Sequence, residues 1–190
     1  MTELKECINS HFGVVSSDDM ETIVSMFEPT VLKKGEYLLK SGKCCDQLSF
    51  VQSGLLRMFV LIDGKEVTQW ISTPGYFSTD LSSFIFESPS RWTIQAMVDT
   101  ELYSISKTNY KRLNELVQAW NELEKMFLIR CFITLENRIF SHLSMTAEER
   151  YRFFFENNKE LFNQVPLQFI ASMLGMTPET FSRIRKRQCL

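Results

Sequence analysis

The most specific pattern in this chain lies in residues 166–187, PLQFIASMLGMTPETFSRIRKR. Its first half places apolar residues at helical spacing, with Ala171 as a small residue midway along the helix. Gly175 accepts the left-handed conformation that a helix end often needs. Thr177 then offers an N-cap, and Pro178 suits the first position of a second helix. Two short helices around a glycine turn are typical of a helix-turn-helix unit.

The second helix of this unit is expected to keep its polar and basic side chains in solvent, because Phe181 and Ile184 have the spacing of a buried face. Glu179 and Arg183 lie four residues apart, where glutamate could accept from a cytosine amino group and arginine could pair with guanine. We therefore predict DNA binding through Gln168, Thr177, Glu179, Thr180, Ser182, Arg183, Arg185, Lys186 and Arg187. The basic residues would hold phosphates. The alternative is an amphipathic terminal helix whose basic end is only solvated.

Charge is distributed unevenly along the chain, whose 190 residues have a formal net charge of −2. Residues 147–190 contain seven basic and five acidic side chains, whereas the other 146 residues contain 14 basic and 18 acidic ones. An acidic body with a basic end suits a protein that touches nucleic acid at one end only.

Histidines and cysteines give no sign of catalytic or metal chemistry. His11 and His142 are far apart in sequence, and the cysteines lack metal-ligand spacing. The five cysteines are Cys7, Cys44, Cys45, Cys131 and Cys189. We interpret them as free thiols in a reducing cytoplasm, and a redox-sensing role for adjacent Cys44 and Cys45 is the alternative.

Several other classes are excluded by what the sequence lacks. The first ten residues are polar and charged, and no apolar run approaches the roughly 18 residues of a membrane helix, so we expect a cytoplasmic chain. A Gly-rich phosphate loop and a nucleophile motif are both missing. A cupin-type enzyme would need histidine ligands, and residues 30–106 contain no histidine. We expect no enzymatic activity, no cofactor and no metal site.

Residues 30–106 have the pattern of a small β structure. Short β-rich runs alternate with turn signals at a spacing of roughly 8 to 12 residues, which predicts a compact β-sandwich or roll. Asp63-Gly64, between LLRMFVLI and KEVTQWI, is a two-residue hairpin signal. Helices are predicted on either side, over residues 2–27 with Ser17 and Asp18 as the cap, and over residues 107–116.

A longer helix is predicted for residues 119–143, which contain no glycine or proline. Its apolar positions are Leu123, Met126, Phe127, Ile129, Phe132, Ile133, Leu135, Ile139, Phe140 and Leu143. That stripe is wider than one roll can cover, so we expect a homodimer seam. The alternative is a helix buried within its own domain. A further helix would begin at Thr146, with Glu149 completing a capping box.

The order of β-roll, long helix and C-terminal helix-turn-helix resembles the Crp/Fnr family of bacterial transcription regulators over nearly the whole chain. GMTPETFSRIRKR is similar to that family's recognition-helix segment, where Glu179, Thr180 and Arg183 would face the operator. KKGEYLLKSGKCCDQLSFVQSGLLRMF resembles the opening strands of a cyclic-nucleotide-binding roll. The resemblance implies an α+β protein with a roll domain over 1–118, a dimerisation helix over 119–145 and a helix-turn-helix domain over 146–190.

The resemblance also implies partners. They are double-stranded DNA with a palindromic operator, a second copy of the chain and RNA polymerase, with no membrane involved. The family's usual β-wing is not expected, since only Gln188, Cys189 and Leu190 follow the basic cluster. An alternative of another class is a cyclic-nucleotide-responsive interaction module whose helical tail binds protein in place of DNA.

The effector pocket departs from the family pattern, in which cyclic-AMP binders have a Gly-Glu pair followed by an Arg-Ser/Thr-Ala triplet. Within PGYFSTDLSSFIFESPSRWTIQA, Asp80 stands at the glutamate's position but follows Thr79 in place of glycine. An ungapped match puts Ser90 at the arginine's position, and Arg91 is followed by the bulky Trp92. We therefore expect some other small effector, or none, in place of cyclic AMP. The candidate effector contacts are Asp80, Ser90, Arg91 and Thr134.

Overall fold

The computed structural model describes residues 1–188 of this α+β chain, which confirms the predicted fold class. The predicted free thiol of Cys189 and the predicted lack of a wing lie outside the described residues. The chain divides into two compact units. The first contains Met1–Met58 and Ile71–Cys131, and the second contains Phe59–Trp70 and the chain from Phe132 onward.

The helices and strands are bounded as follows. The helices are α1 (Thr2–Phe12), α2 (Ser17–Ser25), α3 (Leu81–Phe86), α4 (Lys107–Leu116), α5 (Trp120–Ser144), α6 (Ala147–Asn157), α7 (Leu161–Gln164), α8 (Leu167–Met173) and α9 (Pro178–Gln188). The strands are β1 (Glu28–Leu32), β2 (Tyr37–Leu39), β3 (Gln47–Ser53), β4 (Leu56–Ile62), β5 (Lys65–Ser72), β6 (Phe77–Ser78), β7 (Thr93–Ala96) and β8 (Thr100–Ser106).

Two four-stranded sheets form the predicted roll, in the orders β1-β8-β3-β6 and β2-β7-β4-β5. Strand β8 pairs antiparallel with both β1 and β3, and Ser49 lies opposite Ser104 in the second of these ladders. The two hydroxyl oxygens of that pair are 2.8 Å apart in the buried interior. Leu48, Ser49, Phe50 and Val51 are all buried, so β3 is covered on both faces where it crosses the core.

The predicted hairpin joins β4 to β5 through Asp63 and Gly64, which confirms the two-residue turn. Their φ angles are +49° and +75°. Positive φ at both central residues is the conformation of a type I′ turn, whose twist matches that of the flanking strands.

The helical prediction for residues 2–27 is confirmed, but the position of the cap was wrong. The region forms two helices, because the chain turns at Gly13, whose φ is +108°. The cap of the second helix is Ser16, whose Oγ accepts from the backbone amide of Asp19 at 3.2 Å. Ser17 and Asp18 lie inside that helix, in its first turn.

Helices α4, α5 and α6 confirm the predictions for residues 107–116, 119–143 and the segment after Thr146. The capping box of α6 is formed as expected. Glu149 donates its amide to Thr146 Oγ1, and its carboxylate accepts from the Thr146 amide. Helices α3 and α7 are short, at six and four residues, and were not predicted because such segments show too little periodicity.

The first turns of α5 belong to the core of the first unit. Trp120, Leu123 and Phe127 are buried, at the spacing of one helix face. The ring of Phe127 stacks on Phe12 of α1 with centroids 4.5 Å apart, and Phe12 also stacks on Trp120. Beyond Phe127 the apolar residues of α5 become exposed, so this packing places only the start of the helix against the roll.

Candidate nucleic-acid interface and effector pocket

The turn between α8 and α9 has the geometry that the glycine predicts. Gly175 has a φ of +68°, and its amide donates to the carbonyl of Ser172 at 3.0 Å. The next amide, that of Met176, reaches back to the carbonyl of Ala171 at 2.9 Å. A Cβ at Gly175 would lie 3.3 Å from the ring of His142, so a side chain here would be both strained and crowded.

Helix α9 begins where the sequence placed its cap. The Thr180 amide donates to Thr177 Oγ1 at 3.2 Å, and Pro178 occupies the first helical position. Hydrogen bonds from its own backbone amide and from Thr177 hold the pKa of the exposed Glu179 carboxyl below its usual value. Glu179 is therefore an ionised acceptor at the positive end of the helix.

One face of α9 is buried and the rest faces solvent. Phe181 is 1% exposed, and its ring packs on Tyr151 of α6 and on Phe162 of α7 with centroids 5.2 and 6.0 Å apart. Ile184 is also buried. This apolar anchor leaves the polar and basic residues of α9 directed outward.

The predicted DNA contacts lie on one helix-turn-helix unit, and most of them are in solvent. The exposed ones are Gln168, Thr177, Glu179, Ser182, Arg183, Arg185, Lys186 and Arg187. Thr180 is half-buried, and its Oγ1 accepts from Thr177 Oγ1 at 3.2 Å, so it belongs to the cap of α9.

Four residues that the sequence reasoning missed hold α8 in place. Arg138 donates to the Met173 carbonyl at 3.0 Å, and Arg150 donates to the Leu174 carbonyl at 3.1 Å. Ser172 Oγ accepts from the amide of Thr68 at 2.9 Å. Most of the groups that these side chains bind are backbone groups, which the sequence does not reveal. The one sequence feature that could have indicated such a contact is an arginine, Arg138, among the apolar residues of α5.

The roll brings two of the four predicted effector residues together. Asp80 and Ser90 are both buried, and Ser90 Oγ donates to Asp80 Oδ2 at 2.6 Å. Asp80 Oδ1 accepts from the Ser83 amide at 3.3 Å, which makes Asp80 the N-cap of α3. Arg91 is exposed, at a bend between Ser90 and β7. Thr134 belongs to the second unit, on the exposed part of α5.

Comparison with known proteins agrees with this architecture. Residues 29–115 match the family model of the cyclic nucleotide-binding domain. The transcriptional activator protein Anr of Pseudomonas protegens is 28% identical over 198 residues, covering 95% of this chain and 78% of Anr. FnrA of Stutzerimonas stutzeri, also a transcriptional activator, is 28% identical over 205 residues with the same coverage. The chain therefore has a cyclic nucleotide-binding domain and is similar over most of its length to transcriptional activators of the Crp/Fnr type.

A solved structure supports the fold. FixK2 from Bradyrhizobium japonicum superposes with a TM-score of 0.70 at 20% identity, over 85% of this chain and 83% of FixK2. The similarity therefore extends from the roll into the C-terminal helices.

Several features of the roll differ from the pattern of the cyclic-AMP binders. A bound cyclic phosphate needs a cation and closely approached backbone amides, and a ribose hydroxyl needs a carboxylate that accepts its hydrogen bond. Both oxygens of Asp80 accept hydrogen bonds from within the roll, one from the Ser83 amide and one from Ser90. Ser90 Oγ also accepts from the Trp92 amide at 2.9 Å. Arg91, the nearest cation in sequence, lies in solvent.

The described cysteines form no disulfide. Cys44 is exposed and donates to the Glu87 carbonyl, whereas Cys45 is buried and donates to the Gln47 carbonyl, both at 3.4 Å. The two adjacent thiols thus have separate partners. Burial raises the pKa of Cys7 to about 11, so its thiol is protonated and unreactive at neutral pH.

Two further features concern metal ions and membranes. Among residues 1–188, histidine, cysteine and carboxylate side chains form no group of three that could hold a metal ion. The helices of the same residues do not combine the length and apolarity that crossing a bilayer requires.

Proposed function

We propose that this chain is a homodimeric, DNA-binding transcription regulator whose α9 enters the major groove. The observation that supports it best is the division of α9 into two faces. Phe181 and Ile184 are buried, while Glu179, Arg183 and the basic cluster of residues 185–187 are exposed. A helix anchored by its apolar face and unobstructed on its polar face suits groove recognition.

The exposed residues of α9 are proposed to have two roles. Glu179 and Arg183 lie one turn apart near the start of the helix, where they would read cytosine and guanine edges. Arg185, Lys186 and Arg187 lie in the last turns and would hold phosphates. The negative total charge of the chain is compatible with this division, because affinity would come from a local basic patch.

The second copy is proposed to pack along α5. Its exposed apolar residues are Met126, Leu128, Ile129, Phe132, Ile133, Leu135, Ile139, Phe140 and Leu143. Phe132 is 65% exposed and Leu143 is 83% exposed, which is unusual for such large apolar side chains. The stripe on one copy can pack against the same stripe on a second copy, so a two-fold dimer would bury it. Such a dimer would present two copies of α9 to a palindromic operator.

The roll is proposed to act without cyclic AMP, because Asp80 and Ser90 satisfy each other. Any effector would have to differ chemically from a cyclic nucleotide, and Arg91 and Thr134 remain candidate contacts for it. The three proposed segments are the roll (1–118), the dimerisation helix (119–145) and the DNA-binding domain (146–190). A regulator of this kind works beside DNA and RNA polymerase, so we assign it to the cytoplasm and to no enzymatic reaction.

The test is selection of random-sequence duplex DNA on the purified protein at low salt. We expect enrichment of one motif that occurs as two inverted half-sites about one helical turn apart. A chain whose C-terminal helices bind protein in place of DNA would enrich no motif. That outcome would contradict the proposed function.

A further inference from the structure

Arg138 lies among the apolar residues in the last two turns of α5, an unusual place for a cation. Its guanidinium donates to two backbone carbonyls from different segments, that of Gln69 in β5 and that of Met173 in α8, the latter at 3.0 Å. The guanidinium carbon also lies 5.8 Å from the ring centroid of Trp70. One side chain of α5 thereby joins the β4–β5 hairpin to the helix-turn-helix.

A second contact joins the same elements independently of Arg138. The buried Thr68 of β5 donates its amide to Ser172 Oγ of α8 at 2.9 Å. Arg150 of α6 holds the next carbonyl of α8, that of Leu174, and also donates to the Met145 carbonyl at 2.7 Å. The carbonyls at the end of a helix lack partners within it, and here two arginines supply them. All these residues belong to the second unit.

The two hydrogen-bond acceptors of Arg138 are neutral, and this affects how much the residue can contribute to folding stability. Burial lowers its pKa from the usual value of an arginine, and its hydrogen bonds go to main-chain oxygens. A partly buried cation held by neutral groups is a weak source of folding stability, since desolvation offsets much of the gain. The fixed fork of a guanidinium is nevertheless well suited to holding two segments at a set distance and angle.

We propose that Arg138, assisted by Ser172, is a positioning residue for DNA binding that fixes the helix-turn-helix to α5. The inference rests on the proposed function. Helix α9 follows α8 after only four residues, so fixing α8 also fixes α9. Arg138 directly precedes the exposed Ile139 and Phe140, which are part of the proposed dimer seam. The rigid link from seam to α8 therefore sets how far apart the two copies of α9 lie.

This role has a specific consequence. Once one helix-turn-helix of a dimer is bound to its half-site, the other binds the second half-site at an effective concentration. That concentration depends on how rigidly the two helix-turn-helix units are linked. Loosening α8 should weaken binding to a duplex with both half-sites, while one head on one half-site should be almost unaffected. A residue that only stabilised the fold would weaken both equally.

The experiment uses the full-length protein and the duplex selected by the wild type, with a second duplex in which one half-site is scrambled. We expect Arg138→Met to weaken binding to the two-site duplex by about 10- to 100-fold and to the half-site duplex by less than about 2-fold. Arg138→Lys, which can donate to one carbonyl, should fall between wild type and Arg138→Met. Arg152→Met is the matched control, because Arg152 is an exposed arginine on α6 with an ion pair to Glu148. It removes the same charge and should affect both duplexes alike.

Ser172→Ala provides a milder variant in case Arg138→Met does not fold. It removes the acceptor of the Thr68 amide, whose hydrogen exchange should accelerate, and it should lower two-site affinity selectively. The positioning role would be overturned if the variants lost affinity equally on both duplexes. It would also be overturned if Ser172→Ala and Arg138→Lys both kept the two-site affinity of the wild type; either result would leave the proposed function intact. If the wild type selects no duplex, the proposed function and the positioning role are both contradicted.

Discussion

Ser90 Oγ donates a hydrogen bond of 2.6 Å to Asp80 Oδ2 in the interior of the roll. These two residues stand where the cyclic-AMP-binding pattern would place a carboxylate for the ribose and a cation for the phosphate. Here they satisfy each other, and Asp80 in addition caps α3. Asp80 and Ser90 are thus both part of the folded interior of the roll.

The first prediction is that Ser90→Ala destabilises the protein by about 1–3 kcal/mol, because it leaves a buried carboxylate oxygen without its donor. The free energy of unfolding is measured by urea denaturation. The matched control is Ser82→Ala, which removes an exposed hydroxyl from α3 and should change stability by less than about 0.5 kcal/mol. Equal effects of the two substitutions would show that the Asp80–Ser90 bond contributes nothing.

The second prediction is that cyclic AMP at about 1 mM leaves the melting temperature nearly unchanged. A ligand with a dissociation constant of about 10 μM would then be in about 100-fold excess and would stabilise the fold by about 2.7 kcal/mol, which thermal denaturation detects readily. A clear rise in melting temperature with cyclic AMP that Arg91→Ala abolishes would contradict the proposal that the roll does not bind cyclic AMP.

The order of structural elements could be predicted from the sequence because each signal is local. Asp63-Gly64, the Thr146 capping box and the glycine of the helix-turn-helix depend on neighbouring residues only. The break at Gly13 was missed, because a lone glycine within a helical pattern does not reveal whether the helix continues.

The contacts of the candidate sites were harder to predict, because they depend on tertiary structure. Asp80 and Ser90 are ten residues apart, and only the packing of α3 shows that they bond. Arg138 is 35 residues from Met173 and donates to its backbone carbonyl. The identity of the Met173 side chain therefore does not indicate the contact. The exposed face of α9, by contrast, followed directly from helical periodicity.

The third prediction separates base reading from phosphate binding. Arg183→Ala should reduce the preference for the selected duplex over a scrambled one, by about 1–3 kcal/mol for each lost bidentate pair. Arg187→Ala should weaken both duplexes about equally, since a phosphate contact is independent of sequence. Both affinities are measured by fluorescence anisotropy. The assignment of roles fails if the two variants lose affinity in the same pattern.

The fourth prediction concerns assembly. A charge introduced as Ile133→Asp or Phe140→Asp should dissociate the dimer, because an unpaired charge is costly to bury. DNA affinity should fall at the same time, since a monomer has one helix-turn-helix and can bind only one half-site. Asn137→Asp is the control, an exposed polar position on the same helix. Sedimentation that finds both variants still dimeric would place the seam elsewhere.

The most direct test of DNA binding is the salt dependence of affinity for the selected duplex. Each phosphate contact adds about −0.9 to the slope of log K against log salt, so we expect a steep negative slope for the wild type. Replacing Arg185, Lys186 and Arg187 with alanine should make that slope less steep by about one unit per residue that holds a phosphate. A flat slope, or a triple variant with the slope of the wild type, would contradict the claim that α9 binds DNA.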